Sequence, residues 1–564
     1  MWRRRFPLSL LLALAVYVAL SLQIADGLGI VGEVALGWAL DRPPQVLVSV
    51  DPPLWADGAA QPSAGHRAGP LIASQVRPLE QLDLGAFRLP LAINRYTGGL
   101  PDWPSRLLFL ATGSVAAVQA LHVLLGGLLL VLVHRFLRYH ASDVAAAVAA
   151  LVLATDWAFL FYKRALGGTE LALQAALLLC LWGLWSRRWG GGRHGLWPLA
   201  VGAGVGLSAK LTFAVPLLAL VGVAVLTRAD HPANKPPPPT RPLPLLAVFS
   251  LLIAPLVITA LHHQWVPAAP HVQSHDFPAL QFERVLKAVS GGQGPAREGL
   301  INLYYWALHP LGFFQQAYGA EDIGQPSAWR AAGWLLLLGG AVQGWRNRHP
   351  SPSEALLRFV SLLLPAQVLF LWVVARDLHH LAMLAPVFAI AAGMATERLC
   401  ALATPPRSRK RAALAGLLLL PWAIAGGRDA LHTGAVLDQI TTPTFTEDGQ
   451  QAIVAMLRDN GVQKLVASDY ELYGMIEIRA PEVEAIHGWG ATSHQRGAVL
   501  PALLRQAAGG HFLVVRASAP MVYNLRPSAG QLTSLGRELG LEVEAVASLP
   551  EKAATLYRVS GAEE

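Results

Sequence analysis

Charge is what this sequence has least of. Only 14% of its 564 residues are Asp, Glu, Lys or Arg, against about 25% in a typical soluble chain. Hydrophobic residues make up 54% and the mean hydropathy is +0.42. A wholly soluble protein is excluded. So is a disordered one, because disorder needs low hydrophobicity and high charge. Cysteine is nearly absent, with Cys180 and Cys400 alone, so neither a disulfide framework nor a cysteine-based zinc site can form. Glycine and proline show no triplet period, which excludes collagen. There is no P-loop: Gly202-x-Gly204-x-Gly206 lies inside an apolar run, where glycines mark close helix packing. No G-x-S-x-G element is present.

What is present is a series of apolar runs. The formal net charge is +8, but the basic residues sit in short clusters between these runs. That is membrane topology, not a nucleic-acid surface. The spacing predicts membrane helices over Phe6–Ile24, Ser114–Val133, Val144–Tyr162, Glu170–Trp185, Leu196–Ala209, Thr212–Leu226, Leu243–Leu261, Trp329–Val342, Leu356–Val374, Leu381–Ala395 and Ala412–Ala425, about eleven spans. A cleaved signal peptide is the alternative for the first run, but no clear small-x-small site follows it. The stretch Leu196–Leu226 is too long for one untilted span and is split at Lys210. With that split, Arg3–Arg5, Arg135/Arg138, Arg187/Arg188/Arg193, Arg228/Lys235/Arg241, Arg346/Arg348 and the Arg398–Arg411 group fall on one side. By the positive-inside rule that side is cytoplasmic. The expected protein is polytopic and α-helical, N-in and C-out, in the plasma (inner) membrane. Its transmembrane domain covers 1–430, with outer loops 26–108 and 264–328. Pro236–Pro239, in a cytoplasmic loop, reads as a stiff spacer.

The remainder, 431–564, changes character. It has more acidic than basic residues and no membrane-length run. Gln450–Asn460 reads as an amphipathic helix, Lys464–Ala467 and His511–Arg516 as buried strands, and Leu541–Ala547 with Ala554–Val559 as a closing strand pair. A small soluble α/β domain on the outer face is expected.

The chemistry is sought where outer polypeptide meets the membrane. Asp26 closes the first span, and Ile30, Val34, Trp38 and Leu40 follow at roughly helical spacing. A carboxylate there can cap that helix or act as a general base, and Glu33 can share the site. Asp41, Asp51, Asp57, Asp83 and Asp102 read as solvated or turn-forming. Tyr96 and Trp103 suit the interface, around the Gly98-Gly99 and Pro101 turn. Lys163, Arg164, Lys210, Arg376, His379 and His380 lie on the outer side, against the topology rule. Cations at membrane depth need a counter-charge, and a lipid phosphate fits; snorkelling to ordinary headgroups is the alternative. Adjacent histidines on a helix point about 100° apart, so His379-His380 is a poor metal pair. No metal site is read.

Four passages together resemble the GT-C superfamily of polytopic glycosyltransferases, in particular the family 39 type. They are Leu89-Pro90-Leu91 through Tyr96-Thr97-Gly98-Gly99-Leu100, then Ala154-Thr155-Asp156 through Arg164, then Gly204 through Lys210, and Arg376 through Leu381 with Pro386. The resemblance covers about residues 6–428 and leaves the C-terminal domain unidentified. It implies a sugar donor on a polyprenyl phosphate and a lipid, glycan or protein acceptor, with membrane lipids but no nucleic acid as further partners and no cofactor. Asp26 takes the place of the family's catalytic base. Lys210 and Arg376, with Arg164 and His380, would hold the phosphate, and Tyr96 belongs to the matching loop. The chain departs from the family at Gly27, where a second acidic residue is common, and at Ala165–Thr169, after which Glu170 takes an acidic place or leaves it empty. The aromatic residues Tyr304, Tyr305, Trp306 and Phe313 suit either a cover for the sugar or an interfacial belt. A transporter or flippase of lipid-linked sugar is the competing function, though no internal repeat is visible. A catalytically inactive GT-C scaffold is the other.

Overall fold

Serine marks where several of the helices begin. The computed structural model describes residues 7–25, 80–83, 88–92, 98–189, 196–227, 242–265, 293–312, 325–346, 350–374, 381–404, 409–439, 446–467, 470–487, 496–515, 527–549 and 554–561. In it, the Ser114, Ser142 and Ser327 hydroxyls accept from the N–H groups of Ala117, Ala145 and Arg330 at 3.2, 3.1 and 3.3 Å. Each satisfies a donor that the first helical turn cannot use.

The helices of the bundle are α1 (Leu8–Ala25), α2 (Trp103–Thr112), α3 (Val115–His140), α4 (Asp143–Thr155), α5 (Trp157–Trp189), α6 (Leu196–Ala209), α7 (Ala214–Leu226), α8 (Pro242–Trp265), α9 (Gln293–Leu308), α10 (Ala328–Trp345), α11 (Pro352–Val374), α12 (Ala385–Ala403) and α13 (Arg409–Gln439). Among the described residues, four helices are long and apolar enough to cross a membrane: Val115–His140, Gly168–Arg187, Ala385–Ala403 and Lys410–Thr433. The others are shorter apolar helices or less apolar ones. Leucines point outward where a soluble protein would place charge, Leu124 at 71% and Leu335 at 69% exposed.

Small residues set the centre of the bundle. Ala145, Ala146, Ala149, Ala150 and Ala154 of α4 are fully buried. A Cβ added to Gly393 of α12 would come 2.5 Å from the Ala145 carbonyl oxygen, so the two helices meet backbone to backbone. The glycines of α6 act likewise. A Cβ on Gly202 would reach 2.6 Å from Ala176 O of α5, one on Gly204 would reach 2.9 Å from Leu252 of α8, and one on Gly206 would enter the Phe213 ring. They are packing glycines, as their place in an apolar run implies.

The bundle has two ends with different chemistry. At one end Arg138 pairs with Asp143 at 2.7 Å, Arg398 with Glu354 at 2.5 Å and Arg411 with Glu397 at 3.5 Å. This is the end that the sequence assigns to the cytoplasm. At the other end Gly426 of α13 abuts the Thr155 carbonyl, and α4 gives way to α5.

The local breaks differ from the sequence reading in three places. The break at Lys210 is where it was expected: α6 ends at Ala209, Lys210 is extended (φ −158°, ψ 127°), and a 3-10 turn, Leu211–Phe213, leads into α7. The expected helix over 144–162 is instead interrupted at Asp156. Its Oδ1 accepts from the Phe159 N–H at 2.8 Å, a cap that restarts the helix as α5. The expected turn at 165–170 does not form, and Lys163 and Arg164 lie within α5. Finally, α2 and α9 are helices inside segments read as outer loops. Gly113 ends α2 in the left-handed region (φ 61°) before Ser114 starts α3. Trp306 of α9 is buried in an aromatic cluster with Trp334 and Phe388, at centroid distances of 5.5 and 5.8 Å. It therefore packs into the bundle.

The C-terminal region is a five-stranded sheet in the order β4-β3-β5-β7-β6, with β3 (Lys464–Ala467), β4 (Glu484–His487) and β5 (Gly510–Val515) parallel, and β7 (Ala554–Gly561) antiparallel to both β5 and β6 (Leu541–Leu549). Strands β1 (Glu80–Asp83) and β2 (Arg88–Ala92) form a separate hairpin pair near the bundle. Both faces of the larger sheet are covered, which is why β5 reads as a continuous apolar run. Leu513 and Val515 meet α14 (Glu447–Asp459) and α15 (Tyr470–Arg479) on one side. Phe512 and Val514 meet α16 (Arg496–Ala507) and α17 (Ala529–Glu538) on the other.

Candidate functional site

The loop Gly98–Asp102 is held by backbone bonds from both sides. The Gly99 N–H donates to Leu91 O of β2 at 3.0 Å, and the Gly98 N–H donates to Ala209 O at the end of α6 at 3.2 Å. A Cβ on Gly98 would overlap the Ser208 carbonyl, so only glycine permits this contact. The strand, the double-glycine loop and the hairpin tip before Lys210 are thereby fixed together.

Leu100-Pro101-Asp102 then makes one 3-10 turn into α2. It sets Asp102 against α5, where Thr169 Oγ1 donates to Asp102 Oδ2 at 3.4 Å. A Cβ on Gly168 would lie 2.7 Å from Pro101 O and 2.8 Å from Asp102 Oδ1. Further along α5, Gln174 Nε2 donates to Ala382 O at 3.0 Å. The four passages that carry the GT-C resemblance are scattered over some 300 positions in sequence. The described parts of all four belong to α5 or to segments attached to it.

Several charged or titratable side chains of this region are buried. Lys210 is 7% and Glu170 1% exposed. Asp102 is buried as well, at 3%: it lies in a turn, as expected, but it is not solvated. Burial pushes its carboxyl up to about 7, with the Thr169 hydrogen bond pulling the other way. One turn on, Ser105 and Arg106 are buried too, and Ser105 Oγ lies 2.9 Å from His122 Nε2 of α3. Leu107 and Leu110 of the same helix are exposed. The face of α2 is thus inverted, polar inward and apolar outward.

Of the residues read as functional from sequence, Lys210 is placed at the hairpin tip and Arg164 within α5, its side chain outside the described residues. Asp26, Glu33, Tyr96, Arg376 and His380 also lie outside the described residues.

A second buried charge cluster was not foreseen. Arg330 Nε of α10 pairs with Asp429 Oδ2 of α13 at 2.7 Å, with both side chains under a tenth exposed. Asp156 is close enough for both charges to act on it. Arg330 and Asp156 line a narrow cleft with Thr155, Phe388, Trp422 and Gly426. Beside it, burial holds the His309 imidazole below its usual value, while Asp429 acts in the opposite direction.

No family model matches the chain, and no curated protein sequence matches it. Solved structures do. The crystal structure of ArnT from Cupriavidus metallidurans bound to undecaprenyl phosphate matches with a TM-score of 0.55 at 13% identity, over 98% of this chain and 97% of that one. The apo state of the same protein gives 0.54 at 13% identity, over 97% of each chain. An oligosaccharyltransferase from Archaeoglobus fulgidus, tethered with an acceptor peptide containing the NVT sequon, gives 0.41 at 12% identity, over 75% of this chain and 61% of that one. This chain has the fold of ArnT along nearly its whole length.

Proposed function

We propose that this protein transfers a sugar from a polyprenyl-phosphate carrier to an acceptor hydroxyl at the outer face of the membrane. The observation that carries the reading is the meeting of two GT-C-like passages, at Gly98 and Ala209 beside Lys210, with the following Leu100–Asp102 turn set against Gly168 and Thr169 of α5, a few residues after a third. The shared fold supports it, because ArnT of that fold binds undecaprenyl phosphate.

In this mechanism the lipid tail lies against the apolar bundle and the phosphate meets Lys210, Arg164, Arg376 and His380. Asp26, with Glu33 near it, removes the acceptor proton. The acceptor oxygen bonds to the anomeric carbon as the bond from that carbon to the phosphate oxygen breaks on the opposite face. The electron pair leaves with the lipid phosphate, the proton stays on the carboxylate, and the sugar centre inverts. The fixed cations stabilise the leaving charge. The reading places about eleven spans in the plasma (inner) membrane, N-in and C-out. The α/β region 431–564 lies on the acceptor side.

The test is sugar transfer from a polyprenyl-phosphate sugar by the purified protein. Asp26→Asn is expected to lower kcat by about 10²–10⁴-fold, the usual worth of a general base. Full activity in that variant would move the base to Glu33 or Asp51. Transport of the carrier without transfer would favour a flippase.

A further inference from the structure

Asp102 is too enclosed to touch a substrate, yet it sits where the segments of the proposed site join. On one side of its turn, Gly98 is bonded to Ala209, the residue before Lys210. On the other, the carboxyl rests on Gly168 and Thr169, beside Glu170 and one to two turns after Arg164. The fit is tight, since at Gly168 even a methyl group would meet Pro101 O and Asp102 Oδ1.

We propose that Asp102 is a positioning residue: it clamps Gly168 and Thr169 of α5 to the turn that is bonded to the Lys210 hairpin, and so holds Lys210 in place against α5 for the donor phosphate. The inference rests on the function proposed above. A carboxylate in this position would be a buried charge hydrogen-bonded by the neutral Thr169 hydroxyl, and burial favours the protonated form. The charged or titratable groups on the elements around it are Arg106 on its own helix, His122 across Ser105 on α3, Lys163, Arg164 and Glu170 on α5, Lys210 at the hairpin and Arg88 on β2. The clamp is therefore closed at acidic pH and about half released near pH 7. It loosens as the carboxyl ionises, and donor binding weakens on the alkaline side.

The experiment measures the Kd of undecaprenyl monophosphate from pH 6 to 8.5 for the full-length protein, Asp102→Asn, Asp102→Ala and Thr169→Val. The asparagine variant keeps the shape and cannot ionise, so it also records the titration of the phosphate itself. The ratio of wild-type to Asp102→Asn Kd should stay near one at pH 6. It should grow towards about thirty-fold at pH 8.5, the fall in neutral fraction of a group titrating near 7. Asp102→Ala should bind weakly at every pH, and Thr169→Val should bind less tightly than wild type. A ratio that does not change with pH, or an alanine variant that binds like wild type, would overturn the inference and leave the functional reading intact. Absence of binding by the unaltered protein at every pH overturns both. Thermal unfolding of each variant separates loss of the clamp from loss of the fold.

Discussion

Arg330 and Asp429 form a buried ion pair, Nε to Oδ2 2.7 Å, that ties the first turn of α10 to α13. Asp156, the cap of α5, lies within reach of both charges. Two helices that are remote in sequence are thus tied by one guanidinium, whose charge also acts on the cap of a third. Removing it leaves two carboxylates in a space with little water. Arg330→Met is expected to destabilise the protein by about 3–5 kcal/mol, the usual cost of breaking a buried pair from one side. The double variant Arg330→Met/Asp429→Leu should recover part of that loss. Thermal unfolding in detergent checks both, and a single variant as stable as wild type would show that the pair holds nothing.

The packing glycines divide into two kinds that substitution can separate. Gly168→Ala drives a methyl group into Pro101 O and Asp102 Oδ1, and should lower donor binding as well as stability. Gly427→Ala, with nothing within 4 Å of the new methyl, should be neutral or stabilising, by up to about 1 kcal/mol for a helix interior. Equal effects from the two would contradict the close approach at Gly168.

Asp102 has a folded-state value near 7 against an ordinary 3.8. Between these values the folded protein holds a proton that the unfolded chain has released. Stability therefore falls as pH rises from about 4 to about 7, and levels off above. Asp102→Asn removes the term. Its melting temperature should gain on wild type as pH is raised from 5 to 8, and a constant difference would show that the carboxyl does not titrate there.

Lys210 tests the proposed donor site from the other side. Lys210→Gln keeps length and removes the charge. Loss of a charge-assisted contact worth about 1.5–3 kcal/mol should weaken undecaprenyl-phosphate binding by roughly 10–100-fold. A titration with the lipid phosphate measures it, and unchanged affinity would take Lys210 out of the site.

Thr433 accepts a hydrogen bond from Trp157 Nε1 at 2.8 Å in the buried junction of α5 with α13. Thr433→Val strands that indole donor and should cost about 1–3 kcal/mol in unfolding free energy. Thr433→Ser should cost much less. Equal losses would assign the effect to packing alone.

Much of the architecture is dictated locally. Apolar runs of helical length, basic residues between them, Ser at helix starts and alternating strands in the tail are all local consequences of backbone hydrogen bonding and burial. The break at Lys210 follows because the run that contains it is too long for one untilted membrane span. The GT-C resemblance was likewise legible in four short passages. Tertiary structure alone decided how they meet. No local pattern says that Gly168 faces Pro101, or that Gly98 is bonded to Ala209, because each contact joins residues far apart in sequence through the absence of a side chain. The capping of α5 by Asp156 and the burial of Asp102 have the same origin. A carboxylate after a turn looks solvated until the neighbouring helices exclude water from it. The scarce charge that excludes a soluble protein is a property of the sequence. Which of those charges are buried, and what each is paired with, belongs to the packed bundle.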